Sequence, residues 1–171
     1  VEARDSLVVL PTGGGKSLCY QAPAPLRDGV TVVVSPLISL MKDQVDRLLS
    51  HGVTAAFINS SLEASDRSRV LAGLARGEFK LVFVAPERFA GGGFDPILRK
   101  AGVTAFAIDE AHCISHWGHD FRQDYRELGR LKKEFPGASV HAFTATATPR
   151  VRKDIVAQLG LPDPQVLVGD F

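Results

Sequence analysis

Short apolar runs alternate with amphipathic stretches along the whole chain, and the switch between a period of two and a period near 3.6 marks out its elements. Residues 30–35 form a nearly continuous β-branched run between Asp28-Gly29 and Pro36, the pattern of a strand buried on both faces of a parallel sheet. Leu37, Leu40, Met41, Val45, Leu48 and Leu49 then recur at helical spacing until Gly52 ends the pattern. The same reasoning predicts strands over 7–10, 53–58, 80–84, 103–108, 139–143 and 165–168, and helices over 62–76, 94–100 and 124–135. Glu63 and Arg67 are spaced for an i,i+4 ion pair. A first helix beginning at Ser17 loses regularity at Pro23 and Pro25, and Thr148-Pro149 reads as an N-cap and first helical residue opening a helix to about residue 159. Strand and helix alternate throughout, which predicts an α/β fold with a mostly parallel, doubly wound sheet and helices on both faces. Ligands of such sheets sit beyond the carboxyl ends of the strands.

The residues with the most definite chemistry fall at those ends. After the apolar run 7–10 come Pro11, Thr12, Gly13, Gly14, Gly15, Lys16 and Ser17. Glycines without Cβ let backbone N–H groups curl around a phosphate, Lys16 would reach the β and γ phosphates, and the Ser17 hydroxyl would ligate Mg²⁺. Leu10 stands where the strict P-loop pattern has its first glycine, while the Gly-Lys-Ser core is intact. The plain alternative is a glycine-rich surface turn. The run 105–108 ends in Asp109 and Glu110, two adjacent acids that would repel unless a cation and a reactive water share them. Asp109 is placed to hold Mg²⁺ and Glu110 to deprotonate the water that attacks a γ-phosphate.

Composition narrows the picture only slightly. The 171 residues carry 45% hydrophobic and 23% charged side chains and no apolar run of membrane-spanning length, so no membrane partner is expected. A net charge of +1 offers no argument for nucleic acid. The two cysteines, Cys19 and Cys113, suit a reducing compartment. His112, Cys113, His116 and His119 have ligand-like spacing, but one cysteine is few for a structural site and the acids already explain the polarity, so no zinc is expected.

Asp109-Glu110-Ala111-His112 resembles a DEAH box, and the chain is similar to the first RecA-like lobe of a superfamily 2 helicase, more narrowly of the RecQ family of DNA helicases. Residues 10–21 resemble that family's motif I and residues 33–44 its motif Ia; Ala85-Pro86-Glu87-Arg88 and Thr144-Ala145-Thr146-Ala147 resemble two further motifs. Residues 114–125 resemble its aromatic-rich loop. As plain chemistry this loop sets Trp117, Phe121 and Tyr125 among polar neighbours, faces on which bases stack without sequence preference, and Arg122 beside them offers a phosphate contact.

The resemblance implies a RecA-like P-loop NTPase fold and ATP with Mg²⁺ bound by Thr12, Gly13, Gly14, Gly15, Lys16, Ser17 and Asp109. It implies Lys16, Asp109, Glu110 and His112 as catalytic residues. Trp117, Phe121 and Arg122, with His119, would sense single-stranded DNA; Ser35 would contact DNA phosphate, and Thr144 and Thr146 would link nucleotide state to lobe movement. Ser35 is equally a turn residue before Pro36, Arg88 equally a structural salt bridge, Asn59-Ser60-Ser61 another weak candidate, and His116 and Gln123 receive no role.

The expected activity is 3′→5′ translocation on DNA driven by ATP hydrolysis, in repair and recombination, on single-stranded and partly duplex DNA. Alternatives are a DEAH-type RNA helicase or a nucleotide-binding module without turnover. Residues 1–171 are expected to be one lobe, without the upstream adenine-binding segment and the second lobe, and nearly inactive alone. The expected location is the bacterial cytoplasm at the nucleoid, or the nucleus of a eukaryote.

Overall fold

The computed structural model describes residues 4–169. Seven strands, β1 (Ser6–Val9), β2 (Val30–Val34), β3 (Ala55–Ile58), β4 (Leu81–Val84), β5 (Val103–Ile108), β6 (Ser139–Thr144) and β7 (Gln165–Val168), form one sheet in the order β3-β4-β2-β5-β6-β1-β7. Every neighbouring pair is parallel. All five residues of β2 and all four of β4 are buried, as strands covered on both faces must be. The helices are α1 (Lys16–Gln21), α2 (Ile38–Ser50), α3 (Ala64–Ala75), α4 (Asp95–Ala101), α5 (Leu131–Glu134) and α6 (Pro149–Leu159).

Two apolar layers follow. On one face Tyr20 of α1 and Met41, Val45 and Leu48 of α2 pack against Val33, Phe83 and Phe143. On the other, Leu74, Leu98, Leu131 and Ile155, one from each of the remaining helices, cluster with Phe89, Phe106 and Tyr125. β7 closes one edge with Val166, Leu167 and Val168 about half exposed. Among the described residues no helix is long and apolar enough to cross a membrane.

Three expectations need correction. Gln123–Arg130 is a 3₁₀ segment, and only Leu131–Glu134 of the expected 124–135 helix is α-helical. The segment lies so close to α6 that a Cβ on Gly129 would meet the Gln158 carbonyl at 2.6 Å, and tertiary packing has overridden local periodicity there. Glu63 is the extended N-cap of α3, so its side chain leaves the helix surface; Arg69 and Asp66 pair instead at 3.5 Å. The first helix starts at Lys16, one residue early, and after Gln21 gives way to a 3₁₀ turn over Ala24–Leu26, where the two prolines interrupt it. At α6 the Thr148 hydroxyl does accept the Val151 N–H, at 3.3 Å, with Pro149 in the first turn.

Candidate nucleotide site and its coupling loop

Strand order creates the site. β1 and β5, which carry the glycine turn and the two acids, are not neighbours; β6 lies between them, with Val9 opposite Thr144 and Ile108 opposite Ala142. The end of β6 therefore falls between the glycine turn and the acids. The Leu10 N–H donates to the Thr144 carbonyl at 3.1 Å, extending the ladder to the lip of the turn.

The turn itself is exposed from Thr12 to Gly15. Gly13 and Gly15 have φ of +81° and +83°, a region that side chains with Cβ rarely adopt, and a Cβ at either would meet nothing within 4 Å. The open side is thus free for backbone N–H groups to approach an anion. A Cβ on Gly14 would meet the Pro11 carbonyl at 2.9 Å, so this residue must be small for the turn to close. Lys16 Nζ donates to the carbonyls of Leu10 (3.0 Å) and Pro11 (3.3 Å), folded across the turn it would serve. The Ser17 hydroxyl, half-buried at the start of α1, adds an oxygen donor.

Asp109 and Glu110 leave the end of β5 in different ways. The Asp109 N–H still donates to Val34, at 2.9 Å, and its carboxylate accepts the Glu110 N–H at 2.9 Å. Burial pushes the Asp109 carboxyl up to about 6, assisted by the Glu110 charge and opposed by the Glu110 N–H and the Lys16 ammonium. Such a carboxylate gains from a cation. Glu110 has φ 51° and ψ 43°, the one left-handed non-glycine residue among the described residues. That conformation costs on the order of 1–2 kcal/mol and turns the side chain back toward His112.

His112 is buried and its pKa is lowered, chiefly by burial, so the 3.5 Å approach of its Nδ1 to Glu110 Oε2 is a contact with a neutral imidazole at neutral pH. Its Nδ1 lies 2.9 Å from Thr144 Oγ1, which donates its own hydrogen to the Thr146 carbonyl at 3.2 Å. This assigns the Nδ1–H tautomer to His112, with Thr144 as acceptor. Burial pushes the neighbouring Cys113 thiol up to about 12. The metal-like grouping that geometry does produce is His112, Cys113 and Asp120; the sequence-level set is split, with His119 stacked on His112 (4.4 Å between centroids) and His116 on Phe121 (3.8 Å).

The aromatic-rich loop is divided by burial. Tyr125 is fully buried and its hydroxyl donates to the Asp109 carbonyl at 2.7 Å, fixing the strand end that carries the acids. This role was missed because an aromatic in a polar loop reads as surface. Trp117 is 58% exposed, Phe121 half-buried, and His119 and Arg122 are exposed. Arg122 Nη2 donates to Asp120 at 3.4 Å and its backbone N–H to the Cys113 carbonyl at 2.8 Å.

The outlying candidates each have a local contact of their own. Ser35 is buried with its hydroxyl oxygen accepting the Leu37 N–H, which leaves its O–H as a donor. Asn59 caps its own turn by accepting from the Ser61 N–H and hydroxyl. Arg88 has no salt bridge among the described residues and lies 5.4 Å over the Phe94 ring. A cavity of about 490 Å³ lies along the sheet face beside α1 and is lined by none of Lys16, Asp109 and Glu110; the candidate site is an open crest.

A parallel sheet bearing a glycine turn with Lys-Ser after one strand, and paired acids after another, defines a RecA-like lobe of the P-loop NTPase class. The sequence profile of the DEAD/DEAH box helicases matches residues 1–155, and the chain belongs to that family. It is 50% identical over 168 residues to the ATP-dependent DNA helicase RecQ of Pasteurella multocida, covering 98% of this chain and 27% of that protein. It is 51% identical over 160 residues to the ATP-dependent DNA helicase RecQ of Bacillus subtilis, covering 92% and 27%. The chain therefore spans about a quarter of the length of these relatives. In fold it resembles the DUF1998 helicase MrfA, crystallised bound to DNA, with a TM-score of 0.74 at 18% identity over 97% of this chain and 25% of the other.

Proposed function

We propose that this chain is the nucleotide-binding lobe of an ATP-dependent DNA helicase of the RecQ kind, which couples ATP hydrolysis to movement along single-stranded DNA. The observation that carries the reading is the position of Thr144. By its backbone it holds Leu10 at the lip of the glycine turn, and by its side chain it holds His112. His112 in turn contacts Glu110 and stacks on His119 of the aromatic-rich loop. Groups suited to phosphate and groups suited to nucleobases are thus joined by one short chain of contacts.

In this mechanism Lys16 exchanges the Leu10 and Pro11 carbonyls for phosphate oxygens, and the N–H groups of Gly13 to Lys16, beside Thr12, cradle the phosphates. Ser17 and Asp109 are a hard-oxygen pair suited to Mg²⁺, which when bound offsets phosphate charge. Glu110 accepts the proton of the water attacking the γ-phosphate, oriented by His112. Trp117, Phe121, His119 and Arg122 meet DNA, and Thr144 and Thr146 carry the nucleotide state onward to a second lobe.

The test is ATP hydrolysis by the complete polypeptide with and without single-stranded DNA, in wild type and Glu110→Gln. Stimulation by DNA that falls at least 100-fold in the variant is the expected result, a magnitude typical of a lost general base. Turnover indifferent to DNA, or indifferent to Glu110, overturns the proposal. Equal stimulation by RNA would move the substrate to RNA.

A further inference from the structure

The aromatic-rich loop is tied to the end of β5 through Tyr125, and its exposed part is tied to α6. Ser115 Oγ donates to Asp154 at 2.6 Å and accepts the Trp117 N–H at 3.1 Å, so the Trp117 peptide is attached to α6 through one hydroxyl. One turn earlier on α6, Arg150 places its guanidinium 3.3 Å from the centre of the Trp117 ring. Arg150 and Asp154 are four residues apart and so share a face of the helix. Phe121 is held in a parallel way: Arg126 lies 5.2 Å over its ring and donates to Gln158, which itself donates to Asp154 at 3.2 Å. The exposed Trp117 and the half-buried Phe121 therefore each carry a guanidinium whose position is referred to α6.

For Trp117 that guanidinium is the deciding contact. A cavity of about 180 Å³, lined by the indole with His112, His119, Thr146, Thr148 and Val151, opens beside the ring, so packing there is incomplete. More than half of the side chain is exposed. Packing restrains an indole this exposed only in part, and the stacked cation is the directional contact on its face.

We propose that Arg150 is a positioning residue for DNA recognition: it holds the Trp117 ring in the orientation that receives a nucleobase and passes the contact to α6, whose first turn follows directly on Thr146 and Thr148. The inference rests on the reading of the loop as the DNA contact. Arg150 has no other charged partner among the described residues, so stacking on Trp117 is the one role the geometry gives it.

The experiment is a double-mutant cycle in the complete polypeptide, reading basal ATPase, maximal DNA-stimulated ATPase and the oligo(dT) concentration for half-stimulation. Arg150→Ala is expected to raise the half-stimulating concentration about two- to fivefold, the range of an exposed cation–π contact. Basal turnover is unchanged, because without DNA no base meets the Trp117 ring. Arg150→Lys, which keeps a cation, recovers part of the loss, and Arg150→Ala adds nothing in a Trp117→Ala background. Full additivity with Trp117→Ala, or equal loss of basal and stimulated turnover, overturns the proposal, as does an Arg150→Ala protein that behaves as wild type. If Trp117→Ala itself leaves DNA stimulation intact, the loop is not the DNA contact and the inference falls with that reading. If Trp117→Ala weakens stimulation and Arg150→Ala does not, only the inference falls.

Discussion

The imidazole of His112 and the hydroxyl of Thr144 meet at 2.9 Å, although 32 residues separate them in the chain, because β6 is inserted between the strands that carry the glycine turn and the acids. Both groups are buried, and each reaches a further group: Thr144 donates to the Thr146 carbonyl, and His112 lies in contact with Glu110. On the function proposed above, a bond so placed would carry the state of one site to the other.

Removing it should uncouple them. Thr144→Val keeps the shape and leaves the His112 Nδ1–H without its acceptor, a loss of about 1–3 kcal/mol. DNA-stimulated turnover is expected to fall about tenfold while nucleotide affinity changes by less than about twofold, and Thr144→Ser should restore most of the stimulation. Steady-state ATPase titrated with DNA, beside nucleotide binding by calorimetry, makes the comparison. A parallel fall in affinity would assign Thr144 to the cradle alone.

The half-buried carboxyl of Asp109 makes a prediction about stability. Its folded-state value, about 6, lies above the ordinary 3.8, so the folded state holds this proton more tightly than the unfolded chain. The contribution is fully present below about pH 4, is lost as pH rises through about 6, and leaves the ionised group a cost on the order of 2–3 kcal/mol above that. Asp109→Asn should therefore raise the urea midpoint at pH 8 without nucleotide or Mg²⁺, change it little at pH 3.5, and abolish turnover. A variant less stable than wild type at pH 8 would show that the carboxylate is satisfied within the protein.

Tyr125 presents the opposite case, a buried hydroxyl with a structural task. Tyr125→Phe removes the 2.7 Å bond to the Asp109 carbonyl and keeps the ring in the core. The expected cost is about 1–2 kcal/mol in urea unfolding, with a several-fold loss of kcat as the strand end loosens. Unchanged kcat with reduced stability would mean that the acids are positioned by the β5 ladder alone.

The alternation of apolar runs and amphipathic stretches was enough to predict the α/β class, the parallel sheet and each strand to within about two residues, because β-branched runs bounded by Gly and Pro leave few other local solutions. It was also enough to place the glycine turn and the acids at strand ends, since each motif lies within a few consecutive residues. The order of the strands is a matter of which apolar faces cover which, and no local pattern contains it; yet that order sets β6 between β1 and β5 and makes Thr144 a neighbour of His112. The same holds for the aromatic-rich loop. Its residue types were legible, but which aromatic enters the core and which stays out depends on the space beneath them, so Tyr125 is buried on Asp109 while Trp117 stands exposed under Arg150. Contacts between segments distant in sequence are decided by packing, and only the folded chain displays them.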